Sequence, residues 1–401
     1  MRLVPAILVA TSSVFLSAQA PPVFPPAIKA ALEGFERGAY FEANETLTAL
    51  AFAPDGQVRD RMAFGLWTQF STLLTNELDP DVVALSGRAS KPDPTWVKRI
   101  SEANPRDAIG EIVARARKTN IVILNEAHNS PRDRAFALRV ARALRPLGYK
   151  TLALETLSNN EPDADRLKRD AIVRFNTGGY TKDPVFARFV REALALGYEP
   201  IAYEQTNAQR TPTGGIPERE QAQAENLMQK IFSGRPKEKV LMHVGLGHAI
   251  EKPGKATEMM AARLKRMTGV DPLTIDQTSV TDIATPDVYA VATNRIGKTP
   301  AVFFEGANPL LIGRIAGVDL QVVHPRRSYR SGRPAWLVEL GGKQISIPAH
   351  LLPAKGRRLI QLFAADAPSD AVPLDQVLVD GPSSPPVLIA PPGPVRFAIQ
   401  Q

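Results

Sequence analysis

Between Asn120 and Thr278 short apolar runs alternate with longer amphipathic stretches. The runs are Ile121 to Leu124, Thr151 to Leu154, Pro200 to Tyr203, Val240 to Val244 and Leu273 to Ile275. Each is apolar on successive residues, as a strand covered on both faces is. Strands separated by helix-length segments are the mark of βαβ units, so the pattern predicts an α/β fold whose core is a mainly parallel sheet covered by helices over residues 118–285. One helix can be delimited closely. Ser130 can cap it, Pro131 suits its first position and Asp133 can complete a capping box. Phe136, Val140, Ala143, Leu144 and Leu147 recur at three- and four-residue steps on the face that packs on the sheet, and Gly148 ends the helix.

The flanks differ. Residues 21–117 predict a helical N-terminal region, with Ala, Leu, Glu and Arg dominating from Ile28 to Arg117. Ala30 to Leu50 has the texture of one helix-turn-helix repeat, but no copy follows at a fixed period, which argues against a solenoid. Residues 286–401 are rich in Pro, Gly and Val and predict a β-rich C-terminal region, with strands at Ala335 to Leu340, Lys343 to Pro348 and Leu359 to Phe363. Pro382 to Pro394 reads as an extended tail. At the start, Arg2 precedes an apolar run from Leu3 to Leu16 and the small-x-small triplet Ala18-Gln19-Ala20. Residues 1–20 therefore read as a signal peptide, and the run is too short to span a bilayer. The expectation is an exported, periplasmic protein without a stable membrane anchor.

Composition narrows the chemistry. The 401 residues include no cysteine, which removes disulfides, a lipid-bearing cysteine, thiolate metal sites, thiol catalysis and iron–sulfur clusters. The formal net charge of +8 comes from Lys and Arg scattered among acids. Without an aromatic-interleaved basic stretch it points to a solvated surface and not to nucleic acid. The densest basic group, Arg132, Arg134, Arg139, Arg142 and Arg145, rides the helix after the first strand and reads as an exposed face.

In open α/β sheets ligands bind beyond the carboxyl ends of the strands. Four of the predicted strands end in residues able to do chemistry: Glu126 and His128 after the first, Glu155 after the second, Glu204 after the third, and His243 then His248 on the fourth. Three of the five histidines fall here, while His324 and His350 lie in the C-terminal region and carry no expected role. His128, Glu155 and His248 match the two-histidine, one-carboxylate set that holds a divalent metal such as zinc, manganese or cobalt, with Glu126 as general base. Without a metal, His128 would itself activate water, oriented by Glu126 or Glu155. Gly245 and Gly247 around His248 form either a plain tight turn or a place where a ligand approaches the backbone; no Lys-Ser/Thr follows, so this is not a phosphate loop. The loop Asn207 to Ile216 is turn-rich and sits where substrate specificity would be set.

The motifs Asn125-Glu126-Ala127-His128, Leu154-Glu155 and Gly245-Leu246-Gly247-His248, with the segment Arg219 to Leu227 before the last, resemble the superfamily that joins erythromycin esterase-like proteins, ChaN-like haem-binding proteins and Tiki/TraB-type metalloproteases. The resemblance covers Asn120 to Thr278 and implies a shared fold and a shared cluster at Glu126, His128, Glu155 and His248. It implies that Arg219 and Glu220 neighbour the site; together with Glu204 and His243, placed there by their strand ends, they are the expected cofactor-binding residues. Asn125 stands where the motif usually has glycine, a position at which Asn tolerates left-handed backbone. The absence of cysteine departs from the lipid anchor of the haem binders. Two functions follow as expectations. One is a metal-dependent hydrolase of ester or amide bonds in a small-molecule or peptide substrate; the other is a protein that binds haem or a similar cofactor without catalysis. A third is a binding scaffold for envelope partners.

Overall fold

Nine strands share one sheet in the computed structural model, which describes residues 24–85, 93–159, 161–212, 214–252, 257–313, 315, 317–381 and 386–401. The predicted signal segment 1–20 lies outside the described residues, as do residues 382–385 of the proline-rich stretch. The strands are β1 Asn104–Asp107, β2 Ile121–Glu126, β3 Thr151–Leu154, β4 Glu199–Ala202, β5 Val240–Gly245, β6 Leu273–Asp276, β7 Ala301–Glu305, β8 Asn308–Pro309 and β9 Leu320–Val323. Their order is β1-β7-β9-β6-β2-β5-β3-β4, with β8 on β7. From β9 to β4 every pair is parallel; β7 is antiparallel to both neighbours. The α/β fold with a mainly parallel sheet, a helical N-terminal region and a β-rich C-terminal region is thus the fold of the chain.

Alternation within the strands builds two apolar layers. Val122, Leu124, Leu152, Leu154 and Leu241 face the helices Ala108–Ala116, Pro131–Leu144 and Pro184–Ala195, meeting Ile112, Phe136, Val140, Phe186 and Phe189. Ile121, Ile123, Val240, Met242 and Val244 face the other way, onto Leu227, Ile231, Met260 and Leu264 of the helical segments that follow β4 and β5. From β2 the chain moves outward to β3 and β4, returns to β5 between β2 and β3, then crosses to β6 on the far side of β2. That reversal opens a crevice at the carboxyl ends of β2 and β5, where open α/β sheets hold ligands.

Several boundaries differ from those expected. The sheet reaches beyond 118–285, taking β1 and the helix Ala108–Ala116 from the N-terminal side and β7 to β9 from the C-terminal side. Ala335 to Leu340 contains a helical turn, Ala335–Glu339, because six residues do not separate a period of 2 from one of 3.6. Leu388–Ala390 is a buried strand paired with Lys343–Ile345, so part of the proline-rich segment belongs to a core. Pro131 and Gly148 do start and stop their helix, Gly148 at φ 88°. Ser130, however, makes no capping bond through its side chain, and Asp133 accepts the Ala127 N–H at 2.9 Å instead of closing a capping box.

The N-terminal helices Pro26–Glu36, Tyr40–Ala51 and Arg61–Phe70 pack around Phe35, Tyr40, Leu47 and Phe64, with Leu359 of the C-terminal strand Arg357–Ala364 in the same core. Tyr40 Oη donates to the Lys182 carbonyl at 2.8 Å and Lys182 pairs with Glu36 at 2.9 Å, which fixes this region over the strand ends. Among the described residues no helix is long and apolar enough to cross a membrane.

Candidate functional site

All four residues expected to form the cluster lie at strand ends and are buried, but they divide into two adjoining networks. In the first, Glu126 ends β2 and its Oε1 lies 2.9 Å from His128 Nδ1. Arg134, one turn into the following helix, donates to Glu126 through Nε at 2.7 Å and Nη2 at 3.1 Å, to the His128 carbonyl at 2.8 Å, and to Asp183 through Nη1 at 2.7 Å. Asp183 also caps the helix Pro184–Ala195 through the Val185 N–H. Burial pushes the Glu126 carboxyl up, but Arg134 and the His128 contact hold it well below the usual range. Glu126 is therefore ionised, and the proton it faces on His128 belongs on Nδ1. Nε2 is then the basic nitrogen, and it takes no hydrogen bond among the described residues.

In the second network Arg219 is the centre. Its Nη2 donates to Glu155 and to Glu204, each at 2.6 Å, its Nε to Glu204 at 3.0 Å, and its Nη1 lies 3.1 Å from His248 Nε2. His248 Nδ1 lies 3.0 Å from Glu220, which also accepts the Met260 N–H. Burial raises the Glu155 carboxyl, yet His248, Arg219, His128 and the Gly245 N–H bring it down to about 2. For His248 burial works downward, and Glu155 and Glu220 outweigh it, so its pKa is raised.

The two networks meet at Gly245. A Cβ there would lie 2.8 Å from His128 Cε1 and 3.2 Å from Glu155 Oε2, and the Gly245 N–H donates to Glu155. What approaches the glycine backbone is thus the protein's own imidazole and carboxylate. The ring of Tyr180 stacks on His128 at 4.0 Å and 17°. Beyond it lies a cavity of about 320 Å³, lined among others by Glu155, Thr156, Tyr180, Glu204, Gln205 and Asn207, and by Glu36, Gln69 and Phe70 of the N-terminal helices.

No family model and no curated protein matches the chain. Solved structures give distant likenesses. A crystal structure of bacterial protein toxins aligns at 14% identity over 62% of this chain and 57% of that one, with a TM-score of 0.34. The RRSP effector domain of a MARTX toxin from Vibrio vulnificus aligns at 15% identity over 58% and 54%, with a TM-score of 0.32. The chain spans little more than half the length of either.

The set expected to hold a metal does not converge. Among the described residues no group of three or more His, Asp or Glu side chains is arranged to hold an ion. Glu155 and His248 Nε2 are both engaged by the Arg219 guanidinium, and His128 Nδ1 is engaged by Glu126. His243 is buried with Nε2 3.8 Å from Glu126 and without a hydrogen bond, between the edges of Phe186 and Phe189. Burial, opposed by Glu126, lowers its pKa to about 4, which keeps its imidazole neutral near pH 7.

Sequence reasoning missed Arg134, Asp183, Tyr180 and Gln69. Arg134 is 1% exposed, although the basic residues of its helix were expected on an open face. A second buried face, Ala137, Leu138 and Ala141, continues from Arg134 along a helix that packs on the helix Pro184–Ala195. Asn125 is extended within β2, not left-handed, and its side chain donates to Asp276 at 2.8 Å and accepts from the Gln277 N–H at 2.9 Å.

Proposed function

We propose that this chain is an exported hydrolase of ester or amide bonds in which His128, oriented by Glu126, activates water without a resident metal. The observation that supports this reading is the 2.9 Å contact between Glu126 and His128 Nδ1, with Arg134 keeping Glu126 charged. Nε2 accepts a proton as the water oxygen attacks the carbonyl carbon, and the Glu126 carboxylate offsets the positive charge on the ring. Collapse of the tetrahedral intermediate breaks the bond to the leaving oxygen or nitrogen, which takes the proton back from Nε2. The products are a carboxylic acid and an alcohol or amine. The motif order shared with the erythromycin esterase-like superfamily supports the same reading, and the first twenty residues support export.

The test uses 4-nitrophenyl butyrate and the matching 4-nitroanilide. Wild type should turn over at least one of them, and His128→Ala and Glu126→Gln should each lower kcat by about 10²-fold or more. Equal rates in wild type and both variants would sink the proposal.

A further inference from the structure

Two spaces meet beside Tyr180. One is the 320 Å³ cavity; the other is a recess of about 10 Å³ whose walls include Gln69, His128, Arg134, Tyr180, Lys182 and Asp183. The recess has room for a single oxygen-sized group. Gln69, on the N-terminal helix Arg61–Phe70, lines both spaces. It is 9% exposed, and its Nε2 is buried without a hydrogen-bond partner among the described residues. Its neighbours in the recess are already engaged. Arg134 holds Glu126, Asp183 and the His128 carbonyl; Lys182 Nζ donates to the Gly178 carbonyl and pairs with Glu36; Asp183 accepts from Arg134 and Val185.

A buried amide donor left unpaired lowers stability, and such groups are rare in folded proteins. Here the orphan belongs to a residue that lines the same one-oxygen recess as the imidazole assigned as base. We propose that Gln69 donates its side-chain N–H to the acyl oxygen of the substrate while the rest of the molecule occupies the 320 Å³ cavity. The inference rests on the hydrolase reading and adds to it the group that binds the developing oxyanion. It makes the N-terminal helical region part of the site, and it describes the substrate as a small acyl compound whose carbonyl enters the recess ahead of its polar remainder. Donors aimed at the oxygen that gains charge act mainly on kcat.

Gln69→Met keeps length and helix compatibility while removing the donor. With 4-nitrophenyl butyrate it should lower kcat about 10²-fold, leave KM within about threefold, and leave Tm equal to or above that of wild type. Unchanged kcat, or a fall in Tm together with activity, would overturn the proposal by making Gln69 irrelevant or merely structural. A second readout needs no turnover. In His128→Ala, which widens the recess but keeps Gln69, Arg134 and Tyr180 on its wall, the Gln69 side-chain amide signal, assigned by its loss in Gln69→Glu, should shift on titration with butyrate. Absence of that shift overturns the Gln69 assignment. A shift in a wild-type protein that hydrolyses neither probe would instead leave Gln69 as a carboxyl-binding donor and reject the hydrolase reading.

Discussion

Gly245 lies so close to His128 that a Cβ at this position would stand 2.8 Å from the imidazole Cε1. The backbone there is extended at φ −73°, so the requirement is for space and not for conformation. Gly245→Ala should displace the ring or the Glu155 carboxylate. Displacements of about 1 Å cost on the order of 10²-fold in rate, so kcat should fall by that order, with a stability loss of about 1–3 kcal/mol in urea denaturation. A variant with wild-type kcat would show that the ring position is not critical.

Arg134 is the only cation bonded to Glu126 among the described residues, and it shares itself with Asp183. Arg134→Met leaves both buried carboxylates without their cation, with only His128 Nδ1 on Glu126 and the Val185 N–H on Asp183, and should cost about 3–5 kcal/mol at pH 7. The pH dependence follows with a definite sign. Glu126 has a folded pKa below its unfolded value of about 4.3, so its contribution is fully present above that pH and is lost as pH falls below it. Urea midpoints from pH 3 to pH 7 should therefore show a steep acid limb in wild type that shrinks in Arg134→Met.

Asp133 behaves in the opposite sense. Burial, opposed by the Ala127 N–H and by Ser130, raises its carboxyl to about 7. The folded state then binds more protons than the unfolded state between about pH 4 and pH 7, so stability falls as pH rises through that window. One such group contributes a slope of at most about 1.4 kcal/mol per pH unit. Asp133→Asn should flatten the profile there, and an unaltered slope would remove Asp133 as its source.

Arg219 lies between Glu155, Glu204 and His248 and engages all three. Wild type purified without chelator or affinity nickel should contain substoichiometric zinc, manganese and cobalt and show no Soret band. Arg219→Ala frees two carboxylates and one imidazole nitrogen, and it should acquire zinc detectable by elemental analysis and titration calorimetry. Stoichiometric metal in wild type would contradict the reading of Arg219 as the resident cation.

Strand identity and the location of the site were legible because a doubly covered strand leaves an uninterrupted apolar run. Thr151 to Leu154 matches its strand residue for residue, and Glu126, Glu155, Glu204 and His248 all lie just at or beyond strand ends, as their positions in the runs implied. Partnership was not legible. Glu126 meets Arg134 across a helix turn, but Arg134 meets Asp183 at a sequence distance of 49, and Arg219 reaches Glu155 at 64. Nothing local in the sequence distinguishes the buried Arg134 from the half-buried arginines beside it. The engagement of Glu155 and His248 by Arg219 was out of reach for the same reason: residue types at strand ends do not show which cation lies beside them. Gln69 was beyond reach as well, because its place depends on the docking of the N-terminal helices over the crevice.

That docking has a kinetic side. Gln400 accepts from the Phe41 N–H and donates to the Gly38 carbonyl, contacts that join residues 359 and 362 positions apart. Closing such long loops delays contact formation, whereas the parallel strands from β2 to β6 lie within about 160 residues of one another. The sheet and its Glu126–His128 pair should therefore assemble before the wall bearing Gln69 settles over them. A refolding protein would pass through a stage with its base in place and its pocket still roofless, and regained activity would lag behind regained secondary structure.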